Sequence, residues 1–206
     1  MLDKKYLIDR IIFRRNFLFL FELILDRILY FVYYKKYYKR KFKYYGDNIK
    51  WGRDFQWKLI PRNIRISNPD KIQIFDGCMI DSYVYLQAHH LSDGLIIGPN
   101  TRINSNTHIQ AYSEIILEEK VLIAPFVHIN SGNHGYYDQH EPIMDQEYLS
   151  AGKILIGKGT WIGRGATVLG GVKLGNNTVV GTAAVVTKSF LTNTVLVGIP
   201  ARPIIK

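Results

Sequence analysis

Three histidines, His128, His134 and His140, recur at intervals of six within VHINSGNHGYYDQH, residues 127–140. Neutral imidazole suits both divalent-metal ligation and removal of a proton from a hydroxyl near pH 7. The regular spacing therefore has two readings. Either three ligands converge on a metal, or one histidine is a catalyst and the regularity belongs to the backbone. Deciding between them requires the element that carries a period of six.

That element is written most plainly in ILIGKGTWIGRGATVLGGVKLGNNTVVGTAAVVTKS, from residue 154. Ile156, Ile162, Val168, Leu174, Val180 and Val186 recur every six residues, and Thr160, Ala166, Val172, Thr178 and Ala184 stand in a second, smaller slot. Gly159, Gly165, Gly171 and Asn177 come three residues after an aliphatic. These types tolerate the left-handed backbone of a tight corner. An inward aliphatic, an inward small residue and a corner per hexad predict a parallel β-helix of triangular section, one face per hexad and three faces per coil. Only stacked coils bury the inner column, so the repeat must extend. Upstream, Ile97, Ile103 and Ile109 keep the period. Leu117, Ile123 and Ile129 resume it after a slip of two, and Ile74, Ile80 and Leu86 form an earlier set. Cys78 falls in the small inward slot, which makes it a packing residue.

In a three-sided coil, residues six apart lie on different faces. The three histidines therefore do not converge through the repeat. The period also lapses after Ile129 until about residue 154, which predicts a protruding loop around 130–153 that carries His134 and His140. Connections of that length in a compact fold are usually functional or disordered.

The stretches VLIAPFVHINSGNHG, GTWIGRGATVLGGVKLGNNTVVGTAAVVTK and VGIPARPI resemble the left-handed β-helix hexapeptide-repeat acyltransferases over roughly residues 74–206. The likeness is greatest to the galactoside, maltose and polysaccharide O-acetyltransferases. In that family the catalytic histidine follows the LIAP proline by nine residues, which is His134 after Pro125. The resemblance implies acetyl-CoA as cosubstrate, with no metal and no acyl-enzyme. It implies that the Arg164 backbone N–H stabilises the oxyanion and that Trp161 walls the thioester site, although a tryptophan on so regular a repeat also reads as surface packing. Thr182, Thr187, Lys188 and Arg202 match the family's CoA positions, in a groove between subunits of a homotrimer. Ile205 stands where the family often has a second arginine.

The acceptor implied by the resemblance is a saccharide. The family's substrate asparagine matches Asn104, and Tyr112 replaces the aspartate of the simple sugar acetyltransferases. His108 and His128 occupy equivalent outward slots on successive coils. Asp138 and Glu141 are both placed to orient His134, and spacing selects neither. A sugar N-acetyltransferase and an antibiotic O-acetyltransferase would use nearly the same residues. A γ-class carbonic anhydrase, the metal enzyme on this fold, needs a different histidine spacing.

Charge divides the chain unevenly. Of a net +10, residues 1–45 contribute +8, from 12 Lys and Arg against 4 Asp and Glu. Arg15, Glu22, Asp26, Tyr33 and Arg40 fall on one stripe of a helix whose remaining surface is largely Phe and Leu. YYKKYYKRKFKYY (33–45) then mixes six basic residues with seven aromatics. Such a helix fits peripheral contact with an anionic membrane, while a helix docked on its own oligomer is the alternative. Charged residues inside the apolar run disfavour a transmembrane span, and nothing favours a nucleic-acid partner. A single cysteine excludes an intrachain disulfide framework and points to a reducing, cytoplasmic setting, peripheral on the inner membrane face. The expected organisation is a basic helical segment at 1–45, a β-helix catalytic domain at 46–190 and a tail at 191–206.

Overall fold

The computed structural model describes residues 41–47, 49–51 and 64–204. The helix expected before residue 41 lies outside them. The rest is a left-handed parallel β-helix with three sheets as its faces. The first face stacks Tyr44–Tyr45, Ile72–Ile74, Leu95–Ile97, Ile115–Leu117, Ile154–Ile156 and Lys173–Leu174. The second runs from Lys50–Trp51 through Met79–Ile80, Arg102–Ile103, Leu122–Ile123, Trp161–Ile162 and Val179–Val180 to Val195–Val197. The third contains Arg65–Ser67, Tyr85–Ala88, His108–Ala111, His128–Asn130, Thr167–Leu169 and Val185–Val186. Among the described residues parallel pairing runs from Tyr44 to Leu196. Arg202–Pro203 then folds back antiparallel onto Leu196–Val197.

The register is the one the hexads demand. Ile74, Ile97, Leu117, Ile156 and Leu174 stack on the first face. Ile80, Ile103, Ile123, Ile162, Val180 and Leu196 stack on the second, and Leu86, Ile109, Ile129, Val168 and Val186 on the third. These side chains are almost wholly removed from water. Full burial of each contributes roughly 1.5–3 kcal/mol, so the inner columns dominate the stability of the prism. Threonines in the small slot satisfy their hydroxyls against corner carbonyls. Thr101 Oγ1 donates to the Glu118 oxygen at 3.0 Å and Thr107 Oγ1 to that of Ala124 at 3.1 Å. Cys78 fills the same slot, its Sγ 3.1 Å from the Gly98 carbonyl.

The corners depart from the sequence expectation in one respect. Gly159, Gly165, Gly171 and Asn177 adopt positive φ as predicted, as do Asn100 and Asn106, but so do Tyr83 (φ 60°), Lys120 (58°), Phe126 (62°) and Ala183 (57°). The coil imposes this conformation wherever its corner falls. A non-glycine residue there costs of order 1–3 kcal/mol, which the packed columns on either side overcome.

The irregularities in the repeat collect on one edge. From Leu174 back to Ile156 a coil takes 18 residues, whereas Ile97 to Leu117 takes 20, Ile74 to Ile97 takes 23 and Leu117 to Ile156 takes 39. In these three longer coils the surplus falls between a third-face strand and the next first-face strand, at 89–94, 112–114 and 131–153. Three consecutive coils are therefore enlarged along the same edge of the prism, and the largest enlargement is the loop that carries His134.

Candidate active site

The loop is a hairpin rooted in the helix. Gly132–His134 pairs antiparallel with Tyr148–Ser150, placing His134 opposite Tyr148. Its root is stitched to the coil below. Ser131 is buried, its hydroxyl donates to the Ser113 carbonyl at 2.8 Å, and its carbonyl accepts from the Ala151 N–H at 2.9 Å. The Asn130 side chain closes a ring with Gly132, accepting from its N–H and donating to its carbonyl, both at 3.0 Å. At the far end Gln146 Nε2 donates to the carbonyls of Asp138 and Glu141, each at 2.8 Å. The Asp138 carboxylate accepts from the His140 N–H at 2.8 Å.

What lies against His134 is an aromatic cluster. Its ring centroid is 4.4 Å from that of Tyr148. Tyr148 stacks on Tyr112 at 5.1 Å, and Tyr112 stacks on His89 at 5.1 Å. Each ring comes from a different one of the three enlarged corners. Tyr112 belongs to the acceptor set expected from the sequence, and the structure brings it into the cluster beside His134. His89 and Tyr148 were not anticipated. Their signal in the sequence is the two slips in the hexad period, at 89–94 and 130–153, which mark where side chains leave the regular wall. Burial first, and then the neighbouring Tyr148 phenol, hold the Tyr112 hydroxyl above its ordinary pKa.

The remaining expected residues divide between places. His108 and His128 pair in register on the outer surface of the third face, their rings edge-on at 6.4 Å. His128 is half-buried, with Nε2 3.0 Å from Gln110 Oε1, while Gln110 Nε2 donates to Gln87 Oε1 at 3.0 Å. Burial, then the nearby His108, push the His128 imidazole below its usual pKa and favour its neutral form. Trp161 is 49% exposed on the second face, between Leu122 and Val179. Asn104, Arg164 and Thr182 occupy the corner between second and third faces, Arg164 and Thr182 on successive levels and Asn104 two levels from Arg164. The Asn104 amide donates to the Ile123 carbonyl, and the Arg164 guanidinium lies 4.8 Å over the Phe126 ring. Arg202 is exposed beside Val197 at the end of the second face. Thr187 and Lys188 sit at the corner leading to the first face, and Lys188 Nζ is 5.7 Å from the centre of Phe190.

The expected residues thus fall into two groups. One edge carries His134, Tyr112 and Lys188; the second face and its far corner carry Trp161, Arg164, Thr182 and Arg202. The third face, with His108 and His128 on it, lies between them. Among the described residues no group of three His, Cys, Asp or Glu side chains is placed to hold a metal ion. His134 and His140 are exposed in the hairpin, whereas His128 engages Gln110 on the third face.

Residues 153–188 match the bacterial transferase hexapeptide (six repeats) family. The chain is 31% identical to the dTDP-4-amino-4,6-dideoxy-D-glucose acyltransferase of Escherichia coli, over 74% of this chain and 83% of that protein. It is 33% identical to WbbJ of Escherichia coli (strain K12), assigned as a lipopolysaccharide biosynthesis O-acetyl transferase, over 54% of this chain and 60% of WbbJ. Among solved structures, a galactoside acetyltransferase in complex with coenzyme A superposes with a TM-score of 0.56 at 25% identity, covering 84% of this chain and 68% of that one. The chain belongs to the hexapeptide-repeat acyltransferase family.

Proposed function

We propose that the protein is an acetyl-CoA-dependent O-acetyltransferase acting on a sugar hydroxyl of a cell-surface polysaccharide or its lipid-linked precursor. The observation that carries this reading is the placement of His134, an exposed imidazole on a braced hairpin beside a cluster of aromatic rings. Neutral imidazole takes the proton of the acceptor hydroxyl as its oxygen attacks the thioester carbonyl. The tetrahedral oxyanion collapses, the C–S bond breaks, and the proton passes to the departing CoA sulfur. Cys78 has no part in this, because burial pushes its thiol up to about 11.

The Arg164 backbone N–H is the proposed oxyanion donor and Trp161 the wall of the thioester site. Thr182, Thr187, Lys188 and Arg202 are the proposed CoA contacts, with Lys188 and Arg202 answering the phosphates. Asn104, Tyr112, His108 and His128 are the proposed acceptor contacts. In one chain the base and the oxyanion donor stand on different edges of the prism. A homotrimer, with the hairpin of one protomer against the second face of the next, assembles them into one site. No helix among the described residues is long and apolar enough to cross a membrane. Residues 1–45 are the proposed peripheral contact with an anionic surface, which would concentrate the enzyme beside a lipid-linked acceptor.

A second reading has its own support. The relative matched over 83% of its length acts, by its name, on an amino sugar, and the same base would take a proton from the amine nitrogen as it attacks the thioester. Incubation with acetyl-CoA and, in parallel, a lipid-linked saccharide and dTDP-4-amino-4,6-dideoxyglucose separates the two. CoA release with the saccharide, giving a product cleaved by mild base, is expected. A base-stable amide from the amino sugar gives the second reading, and no CoA release with either acceptor contradicts both.

A further inference from the structure

We infer that Tyr148 is a positioning residue for His134, holding the imidazole at its working angle through an aromatic stack that descends two coils to His89. The inference rests on His134 being the base. Its first support is the type of strand pairing. The Gly135 N–H donates to the Glu147 carbonyl at 2.8 Å, so the hydrogen bonds of the hairpin pass beside the His134–Tyr148 pair rather than through it. Directly opposed residues of that kind bring their side chains closest together. The 4.4 Å separation of the two rings is the outcome.

The second support is what lies beneath Tyr148. A ring on a hairpin 52% exposed at that position would turn freely unless something backed it. Tyr112 backs it, nearly parallel at 20° and 5.1 Å, and His89 backs Tyr112 at 28° and the same distance. His89 also lies 6.3 Å from Tyr148 directly. Tyr112 is fixed in its turn by the Gly132 backbone, which leaves no room for a β-carbon. The three surplus segments of the coil thus have one physical product, a rigid aromatic backing for the histidine. Offset aromatic pairs add attraction beyond the area they bury, which favours this single arrangement of the rings.

Replacing Tyr148 by leucine and by phenylalanine tests the inference. Tyr148→Leu removes the ring, and kcat is expected to fall by about 10²-fold, the scale of an ångström of misplacement, with KM for acetyl-CoA unchanged. Tyr148→Phe keeps the ring and is expected to restore kcat to within about threefold of the unsubstituted enzyme, since the pairing and not the hydroxyl supplies the geometry. Wild-type kcat in Tyr148→Leu would overturn the inference, as would equal losses in both variants. A separate readout needs no turnover. The carbon-bound imidazole protons of His134 should show a ring-current shift in NMR spectra that Tyr148→Leu abolishes and Tyr148→Phe retains. Its absence from the unsubstituted protein overturns the positioning role. Its presence in a protein that transfers no acetyl group to any acceptor would leave the stack standing and refute the proposed reaction instead.

Discussion

Gly132 lies flat against the ring of Tyr112: a β-carbon on Gly132 would come within 2.4 Å of Tyr112 Cγ and 2.5 Å of two further side-chain carbons. The backbone that turns the chain out of the coil toward His134 is therefore seated on the aromatic cluster that surrounds the histidine. This contact joins the packing of the prism edge to the position of His134.

Gly132→Ala should thus act on catalysis more than on folding. The added methyl must displace either the Tyr112 ring or the hairpin root, and a shift near an ångström at His134 costs on the order of 10²-fold in kcat. The coil below is held by its buried columns, so the thermal midpoint should move by only a few degrees. Steady-state kinetics and a melting curve on the same sample check this. Unchanged kcat would mean that the hairpin tolerates displacement at its root.

Cys78 should be silent to thiol reagents in the native protein. With the thiol raised to about 11 by burial, and its Sγ against the Gly98 carbonyl, it is neither ionised nor reachable at pH 8. A disulfide reagent should titrate one thiol per chain only after denaturation. The sign of the pH effect follows. A thiol pKa raised in the folded state contributes stability that is present below the unfolded value of about 8.5. That stability is lost as pH rises toward the folded value of about 11. Cys78→Ser should flatten the alkaline side of the stability profile, as measured by denaturant unfolding between pH 8 and 10.5.

His128 is expected to be a supporting residue on the third face rather than the base. Its imidazole is pushed down by burial and by His108, so the folded state prefers it neutral. Stability from this group is present above its unfolded pKa and falls as pH drops through the lower folded value. His128→Gln should weaken the acid dependence of the melting temperature, and the rate loss should stay below tenfold, about 1.4 kcal/mol of barrier. A loss comparable to that of a general base would reassign the catalyst.

Lys188 and Arg202 are the proposed phosphate contacts of a CoA groove shared between protomers. Lys188→Ala and Arg202→Ala should each raise KM for acetyl-CoA and leave KM for an acetyl-pantetheine fragment unchanged. Light scattering should return the mass of a trimer. Equal effects on both donors, or full activity at monomer mass, would contradict the shared groove.

Most of the coil was legible in the sequence because its physics is local and repeated. Ile156 through Val186 declare the inward column without reference to any other part of the chain, and the register follows from stacking alone. The corner residues were half legible. Glycine and asparagine advertise positive φ, but Tyr83 and Phe126 adopt it only because the coil around them leaves no alternative. The candidate site could be named from the sequence where it matched a motif, as at His134, and not where it depends on contacts between coils. His89, Tyr112 and Tyr148 are far apart in sequence and meet only because three surplus segments fall on one edge. The slips in the period marked that edge, but only the assembled coil shows which rings meet there.

The central claim is that His134 is the general base of an acetyl transfer to a sugar hydroxyl. Its most direct test is the turnover of His134→Ala with acetyl-CoA and an accepted saccharide, with the circular dichroism spectrum and CoA affinity measured on the same sample. Folding and CoA binding should be intact while kcat falls by about 10²–10⁴, the usual contribution of a positioned general base. Turnover near that of the unsubstituted enzyme would contradict the account.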